Sequence, residues 1–170
     1  MRERFMALLL CAMLLAGCGD ADVEAPRQAA AEGAFSDGWL GRHDSHSERF
    51  LELESYLGGF SSAMWEVGER YRHLHQALLD ENLPLANYHF DKIGGAIRNG
   101  YRKRPARREH ADALFLDEVA KPAAEAFAGT DLAAAWQAFE SVRAACQACH
   151  AAEDVAFMNE QPLLQDLRAP

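Results

Sequence analysis

Two thiols and an imidazole lie close together in the C-terminal third of this 170-residue chain, in the run Cys146-Gln147-Ala148-Cys149-His150. Positions i, i+3 and i+4 share one side of a helix, so these three side chains converge on a single object. The spacing is that of covalent haem attachment. The two thiols can add to the two vinyl groups of the macrocycle, and the imidazole of His150 then stands over the iron as axial ligand. Three other chemistries use such a cysteine pair. A thioredoxin-like redox pair belongs near the strand-helix junction of a βαβ unit, and no alternating strand pattern occurs in the sequence. A structural zinc site needs a fourth ligand and usually a second ligand pair, which the sequence lacks. A disulfide between Cys146 and Cys149 leaves His150 without a role. The reading is one haem c, bound covalently by Cys146 and Cys149, with His150 on the iron.

The elements that must position this motif are helical. Phe50, Leu53, Leu57, Phe60, Met64, Val67, Tyr71, Leu74 and Leu78 recur at three- and four-residue steps. Gly58 and Gly59 leave that first segment either continuous or broken between them. It ends near Asn82, and Pro84 suits the start of a second segment over about 84–102, with Leu85, Tyr88, Ile93, Ile97 and Tyr101 on or near one face. Gly94 and Gly95 within it mark a candidate close approach by a neighbour. A third segment spans about 107–128, with a kink or a break into two pieces expected at Pro122. Thr130 or Asp131 caps a fourth, whose face carries Leu132, Trp136, Phe139, Val142 and Cys146. Four amphipathic helices with short connections predict an all-α fold, an antiparallel four-helix bundle over residues 48–165 with the haem on its last helix.

The N-terminus reads as an address. Arg2 and Arg4 precede the apolar run Phe5 to Ala16, too short for a comfortable membrane span. The run ends in Leu15-Ala16-Gly17-Cys18, which resembles the lipobox of bacterial lipoproteins. That resemblance implies cleavage before Cys18 and its lipidation, hence a periplasmic protein anchored to a membrane. Gly19 in place of Asp favours the outer membrane. Residues 18–47, rich in Ala, Asp, Glu, Gly and Ser, read as a tether. His43 and His46 within it have metal-ligand spacing but read as loop histidines. Hydrophobic residues make up 49% of the chain, enough for a real core. Loss of residues 1–17 leaves 15 basic and 25 acidic residues, a formal charge of −10. Such acidity excludes nucleic acid as a partner, which needs a basic face. It permits docking on a basic redox protein, whose identity the sequence does not give.

A helical chain whose last segment ends in Cys-x-x-Cys-His resembles the cytochrome c′ and cytochrome c556 group over about residues 48–160. Asn82-Leu83-Pro84-Leu85-Ala86-Asn87-Tyr88 and the Arg104-Pro105 corner add to the likeness. The resemblance implies a non-enzymatic haem protein, and homodimers are frequent in the group. Its six-coordinate members carry a methionine on the first helix, which here is Met64, level with His150 in an up-down bundle. Ligation by Met64 implies an electron carrier, and an open sixth position implies a protein that binds nitric oxide or carbon monoxide. Plain core packing is the competing role of Met64. Met158 follows His150 on the same segment and reaches the opposite face only if the chain reverses, which is not expected. His75 lies 11 residues beyond Met64, roughly 16 Å along the axis and too far to share the iron. Arg143, one turn before Cys146, is a candidate partner for a haem propionate. So is the basic cluster Arg98, Arg102, Lys103, Arg104, Arg107 and Arg108, which equally reads as a solvated corner.

Overall fold

The computed structural model describes residues 38–170. The signal segment, Cys18 and the tether up to residue 37 lie outside the described residues. The chain divides into two compact units, Met1–Leu53 and Glu54–Pro170. Regular structure among the described residues is helical throughout, with no strand. None of these helices is long and apolar enough to cross a membrane.

Trp39–Arg42 forms a single 3-10 turn, and helix α1 (His46–Leu57) follows. Ser45 and Glu48 start α1 reciprocally. The Ser45 hydroxyl accepts from the Glu48 amide at 3.2 Å, and the Glu48 carboxylate accepts from the Ser45 amide at 3.0 Å. Two otherwise unpaired donors are thereby satisfied. Helix therefore begins inside the span read as tether. His43 lies 4.0 Å from Glu52, and His46 is the exposed first residue of α1.

The first apolar segment is broken. Gly58 sits at φ +68, a left-handed conformation that glycine adopts without steric cost, and α2 (Phe60–Leu79) starts afresh. After a three-residue turn, Asn82 caps α3 (Leu83–Lys103) by accepting from the Leu85 amide at 3.1 Å. The close approach between α2 and α3 lies at Gly100. A Cβ there would stand 2.9 Å from the Ala63 Cβ, whereas one at Gly95 would meet nothing within 4 Å. The expected sites, Gly94 and Gly95, are therefore displaced by about a turn and a half. The buried stripe of α3 is Leu83, Ala86, Phe90, Ile93, Ile97 and Gly100. Leu85 and Tyr88, placed on or near that face from the sequence, are exposed. Steps of three and four from Leu83 pass them by.

The third segment breaks earlier than expected. Turns at Pro105–Arg107 and Arg108–Ala111 lead into a π turn, Asp112–Leu116, and α4 is Ala120–Ala128. Pro122 is the third residue of α4. An amide at that position has no acceptor within the helix, so the proline is tolerated there, and of the kink or break expected at Pro122 the segment takes the break, just ahead of it. Helix α5 (Leu132–Ala152) is capped by the Asp131 carboxylate, which accepts from Ala133 and Ala134 at 2.9 and 3.2 Å.

Helix α2 packs on α3, α3 on α4, α4 on α5, and α5 back on α2. Beyond α5 the chain reverses at Asp154, which adopts φ 58, contrary to the expectation that it continues onward. The tail then runs alongside α2. Leu164 is buried in the core, and Leu163 lies against Gly68. Farther on, His75 Nε2 stands 2.9 Å from the Arg168 carbonyl, and the Ala169 amide donates to Glu140 at 2.9 Å. Ordered packing thus extends past residue 165.

Candidate functional site

The last turns of α5 bring Cys146, Cys149 and His150 to the wall of one cavity of about 620 Å³. That volume falls within the roughly 300–1,000 Å³ of cofactor and small-molecule pockets. Helix α2 forms the facing wall with Phe60, Met64, Val67, Gly68 and Tyr71, and Phe115 closes one side. The reversed tail supplies Val155, Met158 and Leu163. Both methionines weighed from the sequence thus border the same space.

Cys146 and Cys149 are free thiols. Burial pushes the Cys146 thiol up to about 12, with Cys149 adding to the effect. Burial also raises Cys149, while the Arg107 guanidinium pulls the other way. Both therefore remain protonated at neutral pH, which makes them poor metal thiolates and poor disulfide-exchange nucleophiles without a partner base. Each keeps the S–H whose two parts would add across a carbon–carbon double bond.

His150 is held by the tail. Its Nδ1 lies 2.8 Å from the Asn159 Oδ1, and the Asn159 amide nitrogen donates to the Gln147 carbonyl at 3.1 Å. An amide oxygen accepts only, so Nδ1 donates this hydrogen bond. Nε2 is then the ring nitrogen left for a metal.

Tyr71 presents the second anomaly. It is 2% exposed and borders the cavity, and its hydroxyl has no hydrogen-bond partner among the described residues. Burial raises its pKa, with the Cys146 sulfur next in effect, so the group is a neutral O–H. A buried donor without an acceptor costs about 1–3 kcal/mol, and an acceptor group filling the cavity removes that cost. An apolar space, two thiols, one oriented imidazole and one unpaired donor fit a flat apolar ring with carboxylate substituents.

The remaining candidates fall elsewhere. Arg143 does not border the cavity: it donates to Glu140 at 2.9 Å and to Gln147 at 3.4 Å. From the basic cluster, Arg107 alone borders it, ion-paired to Glu153, which also accepts from His110 at 2.9 Å. Arg108 pairs with Asp112, and Lys103 donates to the Leu57 carbonyl. His75 contacts Trp136 and Phe139 away from the cavity. Asn159 and Tyr71 were not singled out as site residues by sequence reasoning, whereas Arg107 was named within the basic cluster. The one available signal was Pro162, which can follow a reversal and so bring Asn159 back to the motif. No family model matches this chain, and neither a curated protein nor a solved structure does so.

Proposed function

We propose that the chain is an exported monohaem c-type cytochrome that carries electrons. Its helices α2, α3, α4 and α5 form an antiparallel four-helix bundle in this reading, similar to the cytochrome c′ and cytochrome c556 group. The observation that carries the proposal is the convergence of Cys146, Cys149 and His150, the last held at Nδ1 by Asn159, on one apolar cavity. Cys146 and Cys149 would hold the haem covalently, each thiol adding across one vinyl group with its sulfur on one carbon and its hydrogen on the other. Haem supplies the one-electron couple of its iron. The chain's own part is to exclude water from the ring with Phe60, Val67 and Phe115, and to hold His150 at a fixed angle.

Met64 is the sixth ligand in this reading. Asn159 holds His150 at Nδ1, and Met158 is its chain neighbour, so in this reading Met158 would lie on the His150 side of the ring and Met64, from α2, would take the other; both border the cavity. Histidine with methionine raises the potential and suits a carrier. The charged groups of the lining are committed to one another, Arg72 to Glu69 at 2.8 Å and Arg107 to Glu153. Among the described residues, that pairing favours a carrier over peroxide chemistry, which wants a free acid–base group beside the iron.

Cys18 anchors the protein to a membrane in the periplasm, and an acidic surface docks a basic redox partner. The test is haem staining after denaturing electrophoresis of protein matured in an exported form. Wild type retains the stain, and Cys146→Ala with Cys149→Ala loses it entirely. An unstained wild type made beside a working attachment system defeats the proposal.

A further inference from the structure

The tail beyond the haem motif has no role in attachment, yet it is built into the structure more firmly than a chain end requires. Asn159 makes three hydrogen bonds. Its Oδ1 accepts from His150 Nδ1 at 2.8 Å, its amide nitrogen donates to the Gln147 carbonyl at 3.1 Å, and its carbonyl accepts from Gln165 at 2.7 Å. Two of them tie the same side chain to the motif at Gln147 and His150. The third ties its backbone to the end of the short helical turn Pro162–Gln165. Leu164, buried at 4% exposure, and the His75 contact to the Arg168 carbonyl pin that segment to α2.

We propose that Asn159 is the positioning residue for His150, setting both its tautomer and its donor strength toward iron, with the reversed tail as the brace that holds Asn159 in place. This rests on the haem reading above. The physical case is direct. The Asn159 amide cannot rotate by a half turn without placing an N–H against the His150 N–H and an oxygen against the Gln147 carbonyl, so its acceptor end is fixed toward the ring. The acceptor on Nδ1 fixes the lone pair on Nε2 and makes the ring a better electron donor to a metal. A carboxylate at this position accepts more strongly and makes it better still. An aliphatic side chain removes the acceptor altogether.

The two substitutions Asn159→Asp and Asn159→Leu therefore act in opposite directions. In haem-loaded protein, Asn159→Asp favours the ferric state and lowers the midpoint potential. Asn159→Leu favours the ferrous state and raises it. Each shift is about tenfold in the ferric–ferrous equilibrium, about 59 mV for one electron. A merely structural role moves both variants the same way, through loosened packing. Haem staining is scored on every sample first. No stain in wild type defeats the cofactor reading, whereas stained variants with unchanged or parallel shifts defeat the role of Asn159 alone. A second measurement needs no haem. Nitrogen-15 spectra of the full chain with both motif cysteines replaced by alanine report the His150 tautomer. With Asn159 in place the ring takes the Nδ1–H form, and Asn159→Leu returns it to the Nε2–H form that free histidine prefers. The same tautomer in both overturns the proposal.

Discussion

The two halves of α2 teach opposite lessons about packing. Its C-terminal half, with Leu74, Ala77 and Leu78, is at most 1% exposed and is fully enclosed by neighbouring helices. Its N-terminal half carries residues just as apolar, yet Phe60, Met64 and Gly68 face a cavity, and Trp65 is 77% exposed beside it. Helix α5 repeats the contrast: Ala135, Phe139 and Val142 are buried, while Cys149 and His150 stand at the open end. Interiors are normally filled to crystal-like density, and the proposed haem would fill the apolar space at the open end in the same way.

The contrast is most sharply drawn by the two methionines of the open end. With haem attached, the ferric wild type is low-spin and shows a sulfur-to-iron charge-transfer band. Met64→Ala abolishes that band, turns the iron high-spin and opens the ferrous form to carbon monoxide. Met158→Ala leaves the spin state alone. Absorption spectra of both redox states check this. A wild type already high-spin, unaltered by Met64→Ala, replaces the carrier by a gas-binding protein. Loss of the low-spin form on Met158→Ala instead places the ligand on the tail.

The second comparison concerns stability. Phe127 is fully buried and its ring centroid lies 5.0 Å from that of Phe90 at the closed end. Phe127→Ala should cost about 3–5 kcal/mol, the usual range for emptying a packed aromatic site. Phe157 borders the cavity at 66% exposure, and Phe157→Ala should change stability by no more than about 0.5 kcal/mol. Urea unfolding of both variants without haem measures the difference. Equal losses would mean that the open end is as well packed as the closed one.

Legibility in the sequence followed the range of the signal. Helix existence and the caps at Asn82 and Asp131 were local facts and could be read from residue type. The grouping of Cys146, Cys149 and His150 was legible for the same reason, since the three residues fall within two turns. The face of α3 was misjudged because Leu85 and Tyr88 outweigh Ala86 and Ala96 in size, while small residues permit the closer contact with α2. Pro122 marked the division of the third segment to within a few residues, because a proline is tolerated in the first turn of a helix and not in its interior. The reversal after Asp154 depends on packing of Leu163 and Leu164 against α2, distant in sequence, and so Asn159 had no local signature. Arg143 was chosen for its turn spacing from Cys146, but an acidic neighbour at Glu140 engages it first.

Tyr71 sits where the two halves of α2 meet, and its hydroxyl offers the smallest and most specific test. Its ring belongs to the closed end, stacked on Phe139 with centroids 4.7 Å apart. Its hydroxyl belongs to the open end, buried beside the cavity with no partner among the described residues. Tyr71→Phe preserves the stacked ring and removes the O–H alone. In the chain without haem the substitution removes an unpaired buried donor, so stability should rise by about 1 kcal/mol. Under the proposed function the same O–H would gain an acceptor in the haem-loaded protein, a propionate carboxylate of the ring. The substitution should then lower stability by about 1–3 kcal/mol, because a hydrogen bond to a charged group is lost. The sign of the effect therefore reverses on loading, and thermal unfolding of four samples, wild type and variant with and without haem, reads it. An effect of one sign in both states means that the hydroxyl serves the closed end only, and that the boundary between the halves lies nearer to Val67 than to Tyr71.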